Sequence, residues 1–100
     1  MRIIKIPPLK AYMEKHADAK GPLEAWINDA KRNDWKNPNH LKELYANASI
    51  IGNNRVVFNI GGNNHRLITA INFEVGIVLI KFVGTHAEYD KIDAETVELS

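Results

Sequence analysis

The sequence predicts an α+β fold: an antiparallel sheet of about four strands, helices packed on one face, and a short C-terminal helix. Three observations predict it. Apolar residues recur at helical spacing through the first half, to about residue 46. From near Ser49 the chain changes to runs rich in β-branched and aromatic residues. Between those runs lie turn clusters too short to join anything but antiparallel neighbours. One hundred residues make a single domain, 1–100, with one modest core.

Arg2–Ile6 reads as a first strand that joins the sheet at its edge or centre. Pro7-Pro8 breaks it, and Pro8 suits the first turn of a helix. Leu9–His16 then carries Leu9, Tyr12 and Met13 on one side. Gly21-Pro22 opens a second helix, Leu23–Arg32, with Leu23, Trp26, Ile27 and Ala30 as its apolar stripe. Asn37-Pro38 is a cap followed by proline, and starts a third helix over Asn39–Ala46 that buries Leu41, Leu44 and Tyr45.

Arg55–Ile60, Arg66–Phe73 and Ile77–Val83 form a three-stranded meander. Its turns are Gly61-Gly62-Asn63-Asn64 and Glu74-Val75-Gly76, and Gly52-Asn53-Asn54 precedes it. Gly84 ends the last strand. Thr85-His86-Ala87-Glu88 matches a capping box, so a short helix follows over His86–Ile92.

The net charge of +1 hides an asymmetry. Residues 1–86 hold 12 Lys/Arg against 7 Asp/Glu, a balance of +5, while residues 87–100 hold Lys91 against Glu88, Asp90, Asp93, Glu95 and Glu98, a balance of −4. A mildly basic body suits a polyanion, but this excess does not establish nucleic-acid binding. Cysteine is absent, which rules out disulfides and thiolate chemistry and fits a reducing cytosol. No apolar run approaches the roughly 20 residues that span a bilayer, and the start is too short and interrupted for a signal peptide.

The histidines His16, His40, His65 and His86 are scattered. His86 and Asp90 are four apart, but two ligands fall short of a zinc site, so no metal is expected. Ile60–Asn64 is glycine-rich without the Lys-Ser/Thr of a Walker loop, and reads as a hairpin turn. Gly84–Asp93 carries more chemistry. On a helix, His86, Tyr89 and Asp90 share one face, so three proton-carrying groups cluster there. Strand alternation sets Arg55, Val57 and Asn59 on one face, Arg66 begins the next strand, and Lys81 interrupts an otherwise apolar one. A lysine there reaches an edge or a wet cleft. From spacing alone, a solvated surface turn and an exposed strand face are the preferred reading of these residues over a site.

Asn54–Ile60, Arg66-Leu67 and Phe82–Asp93 resemble the HigB family of toxins in the RelE superfamily. The likeness extends to Pro22–Trp26 and Lys42–Tyr45, and the Gly-Thr-His-x-Glu-Tyr-Asp string after a strand is its most specific part. The resemblance implies a RelE-like fold and ribosome-dependent mRNA cleavage without metal or cofactor. It implies a cytoplasmic toxin with a HigA-type helix-turn-helix antitoxin, through which alone it meets DNA, and no membrane partner. Cleavage in that superfamily uses basic residues on the sheet and a proton carrier near the C-terminus. The matching positions are Arg66, His86, Tyr89 and Asp90, with Arg55, Lys81 and Lys91 as RNA contacts and His65 as a minor candidate. Arg66 is expected to hold the phosphorane charge, His86 to carry the proton, Tyr89 to act as base or stack on a codon base, and Asp90 to orient His86 or Lys91. The competing expectation is a non-catalytic protein that binds RNA or an antitoxin and serves operon autoregulation.

Overall fold

The structure, a computed structural model, describes residues 1–99. In chain order it holds β1 (Arg2–Ile4), α1 (Ile6–Lys15), α2 (Ala17–Arg32), α3 (Pro38–Leu44), β2 (Ser49–Ile51), β3 (Arg55–Ile60), β4 (His65–Asn72), β5 (Ile77–Thr85) and α4 (His86–Tyr89). The fold class is α+β, as expected. The sheet differs in two ways: it has five strands, in the order β1-β5-β4-β3-β2, and it is mixed. β1 runs parallel to β5 at one edge, with Arg2 opposite Ile77 and Ile4 opposite Leu79. The helices supply the long crossover that a parallel pair requires. The extra strand, β2, is a three-residue edge paired antiparallel to β3.

The second helix also starts earlier than expected. α2 begins at Ala17, and Pro22 lies inside it rather than at its mouth. Proline has no amide to give the Asp18 carbonyl, one turn back, but the flanking turns carry the helix through. α3 keeps its expected cap, the Asn37 side chain accepting from the His40 amide at 2.9 Å. It ends at Leu44, which is exposed.

The core lies between the helix layer and one face of the sheet. Leu9, Leu23, Trp26, Ala30, Trp35 and Leu41 meet Val56, Phe58, Leu67, Ile71, Val78 and Ile80. Trp26, Trp35, Tyr45 and Phe58 form an aromatic cluster with ring centroids 5.1–6.4 Å apart, close enough for edge-to-face packing.

The hairpin turns at the two ends of β3 need left-handed backbone. Asn53 and Asn54 have φ of 61° and 59°, while Gly61 and Gly62 have 61° and 69°. Asparagine tolerates that region and glycine adopts it freely.

A bulge in β5 decides which side chains leave the core. Ile68 pairs with Phe82, but Thr69 pairs with Ile80, so Lys81 is the extra residue. Before it, Val78 and Ile80 face the helices; after it, Val83 packs against that core. Lys81 and Phe82 therefore both turn to the opposite, open face, together with Arg55, Arg66 and Ile68. Residues 94–98 cross that face at the β2–β3 end, held by Arg55, Lys81 and Asn53.

Candidate functional site

Arg66 and α4 meet at the other end of the open face. Arg66 is the second residue of β4, directly after His65, so the two side chains leave opposite sides of the sheet. The Arg66 residue is only 9% exposed. Its Nη1 donates to the carbonyls of Asn63 at 3.0 Å and His65 at 3.2 Å. Its Cζ lies 5.7 Å from the centroid of the Tyr89 ring, within cation–π range. Among the described residues no carboxylate pairs with it, and no protein acceptor takes up Nε or Nη2. A fixed guanidinium with a free edge and no counter-charge can hold two phosphate oxygens.

α4 is placed by its own cap. Thr85 Oγ1 accepts from the Glu88 amide at 3.1 Å, and Glu88 Oε1 accepts from the Thr85 amide at 2.8 Å. That backbone hydrogen bond holds the Glu88 carboxyl below the usual range. The expected capping box is present, but the helix is a single turn, His86–Tyr89, not His86–Ile92; turn-type bonds from Lys91 and Ile92 continue it. The strand likewise runs on through Gly84 to Thr85. A side chain at position 84 would collide with Phe82, whose Cζ lies 2.5 Å from where a Cβ would stand.

His86 Nδ1 lies 3.1 Å from Asp90 Oδ2, across one helical turn, with both side chains half exposed. The His86 amide donates to the Asn64 carbonyl at 3.0 Å. Arg66 and Tyr89 are thus in contact, and His86 and Asp90 stand as a pair on the helix that carries Tyr89. Lys91 follows, exposed, with no side-chain hydrogen bond among the described residues.

Arg55 and Lys81 stand elsewhere. Arg55 is 5% exposed, and its Nη1 donates to the carbonyls of Ala94 and Val97 while Nη2 pairs with Glu98. Lys81 Nζ donates to the other Glu98 oxygen at 2.7 Å. The lysine bond, then that from Arg55, holds Glu98 below the usual carboxylate range. Arg55 is therefore an anchor for the chain's acidic end rather than a free cation. The chain end has the structural part that sequence reasoning left unassigned.

His65 sits on the helix side and is 3% exposed. The Tyr12 hydroxyl lies 2.6 Å from Nδ1 and the Asp18 carboxylate 2.8 Å from Nε2. Tyr12 stacks on His16 with centroids 4.1 Å apart. The bond from His65 keeps Asp18 below its ordinary range, while burial, then the charges of Glu88 and Asp18, raise the Tyr12 hydroxyl to about 12. Sequence spacing gave no hint of this cluster, since its members come from α1, α2 and β4.

No group of three or more metal-ligating side chains is found among the described residues. A concavity of about 530 Å³ is a groove of the helix layer lined by residues such as Ile6, Met13 and Ile27. It holds none of the expected site residues, and its depth is not an argument against the shallow open face, because RNA is gripped by charge and stacking. No helix among the described residues is long and apolar enough to cross a membrane.

Residues 19–92 match the family model of the HigB toxin, described as the RelE-like toxic component of a toxin–antitoxin system. The chain is 30% identical over 94 residues to the mRNA interferase HigB of Escherichia coli O6:H1 (strain CFT073), covering 92% of this chain and 91% of that one. It is 33% identical over 92 residues to the mRNA interferase toxin HigB of Escherichia coli K12, covering 90% and 88%. The mRNA interferase HigB of Shigella flexneri matches equally.

Proposed function

This chain belongs to the HigB family of RelE-like toxins, and from that premise we propose that it is an mRNA interferase: an endoribonuclease that cuts mRNA on the ribosome and so stops translation. The relatives' names support the class of activity. The observation that carries the site is Arg66, fixed over Tyr89 with a free edge and, among the described residues, no carboxylate paired with it.

The reaction needs an RNA 2′-hydroxyl as nucleophile. A base takes its proton, the oxygen attacks the adjacent phosphorus, and the 5′-oxygen leaves with a proton. The products are a 2′,3′-cyclic phosphate and a 5′-hydroxyl end. Arg66 holds the two non-bridging oxygens as their charge grows, through Nε and Nη2. His86 is the proton carrier: Asp90 accepts from Nδ1–H, which leaves Nε2 toward the substrate. Tyr89 supports the guanidinium from below and offers its ring edge to a base. Lys91 and Lys81 contact flanking phosphates, Lys81 in exchange for Glu98. Arg55 is removed from the RNA-contact set because its donors are taken by the chain end.

Four acid–base and cationic groups on a shallow face supply little orientation of their own. The ribosomal A site, where mRNA is held in place, supplies the rest. The partner that silences the protein is a HigA-type antitoxin with a helix-turn-helix domain, and the compartment is the cytoplasm. Inducing the protein alone and mapping transcript ends tests the reading. Growth arrest with new 5′-hydroxyl ends inside translated frames is expected, and Arg66→Ala removes both. Arrest with intact transcripts points instead to a non-catalytic RNA binder, and no arrest to an adaptor that only tunes its operon.

A further inference from the structure

The turn between β3 and β4 holds both halves of the proposed site. Three consecutive backbone carbonyls in it accept from site residues. Asn63 and His65 accept from the Arg66 guanidinium, and Asn64 accepts from the His86 amide. The turn begins with two left-handed glycines, a backbone that holds its shape only if something fixes it. Among the described members of this turn, 61–65, His65 alone has a hydrogen-bonded side chain. Its imidazole lies between the Tyr12 hydroxyl and the Asp18 carboxylate, and the Cβ of a residue at Gly61 would stand 3.5 Å from it.

We infer that His65, clamped by Tyr12 and Asp18, is a positioning residue for Arg66 and His86. The helix layer thereby sets the geometry of a site on the far face of the sheet. In the neutral imidazole each ring nitrogen has one compatible role. The Asp18 carboxylate only accepts, so Nε2 carries the proton and donates to it. Nδ1 then accepts from the Tyr12 O–H, and a hydroxyl that keeps its proton at neutral pH is the required donor. With both nitrogens engaged, the ring cannot flip or swing, so its backbone carbonyl stays where Nη1 of Arg66 finds it. His16, stacked on Tyr12 and 5.6 Å from the His65 ring, braces the clamp at the junction of α1 and α2. The clamp touches no substrate. Its effect on chemistry passes through the three carbonyls, where a displacement of about 1 Å is enough to cost ~100-fold in rate.

The identity of the reaction rests on the ribonuclease reading above; the positioning itself does not. The test uses Tyr12→Phe and Asp18→Asn, which keep shape and each delete one hydrogen bond. Ile80→Val, a core change on β5, serves as the control for plain loss of stability. Two readouts are taken on the full chain: hydrogen exchange of the His86 amide by NMR, and steady-state cleavage of mRNA on programmed ribosomes. The expected result is His86 amide exchange at least ~10-fold faster in both clamp variants, with the Val56 amide unchanged. Turnover falls about 10-fold while KM for the programmed ribosome stays within about twofold, and Ile80→Val moves neither ratio. Wild-type exchange and wild-type turnover in folded clamp variants overturn the inference, as does faster exchange with turnover unchanged. If the unsubstituted protein cuts nothing, the ribonuclease reading fails, while the exchange data still decide whether the clamp positions the turn.

Discussion

Arg55 and Arg66 stand on neighbouring strands, leave the same face of the sheet and are nearly equally buried, yet their surroundings are opposite. Arg55 is paired: two carbonyls and a carboxylate of the chain's acidic end engage both its terminal nitrogens. Arg66 is held through one nitrogen by two carbonyls and faces an aromatic ring, with no anion supplied by the described residues. Burying a charge is unfavourable unless it is paired. At Arg55 the fold itself supplies the pair, and the result is structure. At Arg66 the pair is left to come from outside, which is what the proposed site requires. Residue type and strand position do not distinguish the two; the path of residues 94–98 does.

Replacing Arg66 gives the largest expected effect. Arg66→Ala lowers mRNA cleavage on ribosomes by about 100-fold or more with the fold intact, since preorganised charge at a developing anion contributes on that scale. Arg66→Lys recovers little, because an ammonium cannot match the forked geometry. Equal cleavage by the alanine variant would erase the contrast between the arginines.

Arg55→Ala tests the other side of it. Two backbone carbonyls lose their donor, so a stability loss of about 2–3 kcal/mol is expected. That corresponds to a melting temperature lower by roughly 10–20 °C in a chain of this size. Cleavage per folded molecule stays near wild type; a selective loss of activity with unchanged melting would return Arg55 to the RNA contacts.

Gly84→Ala places a defect at the Arg66 end, because Gly84 pairs with Arg66 across β4 and β5. Its Cβ would meet the Phe82 ring at 2.5 Å. An overpacking loss of about 1–2 kcal/mol follows, read as a shifted urea midpoint. Here stability and cleavage fall together.

Acid gives the smallest and most graded change. Glu98 is held below its unfolded value, so its contribution to stability is complete above the ordinary carboxylate range, near pH 4, and is lost as pH falls through the lowered folded value. Asp18 has the same sign at the clamp. Urea midpoints measured from pH 5 down to pH 3 should fall less steeply in Glu98→Gln than in the wild type.

Local signals carried most of the fold. The Asn37-Pro38 start, the glycine–asparagine turns and the Thr85–Glu88 box each act within a few residues, and each stands where the sequence placed it. What lay beyond reach was non-local. Ser49–Ile51 is too short to read as a strand without its partner β3. Pro22 looks like a helix start because the preceding turn, Ala17–Gly21, has weak apolar periodicity. At the candidate site, Arg66 and the His86–Asp90 string were legible from residue type and family likeness. The use of Arg55 by Ala94, Val97 and Glu98, and the clamp on His65, join residues 39 to 53 positions apart, which no spacing rule reports.

The parallel edge has a consequence for when the molecule can exist. Among the described strands, Arg2–Ile4 pair only with Ile77–Leu79, far along the sequence. Closing so long a loop is slow and comes after the local hairpins have formed. A nascent fragment that stops short of β5 lacks both that edge and the helix carrying His86 and Tyr89. Strand order thus sets the order of assembly: Arg66 and the His86–Tyr89 turn of the proposed site come together only after β5 has been made and has paired with β4.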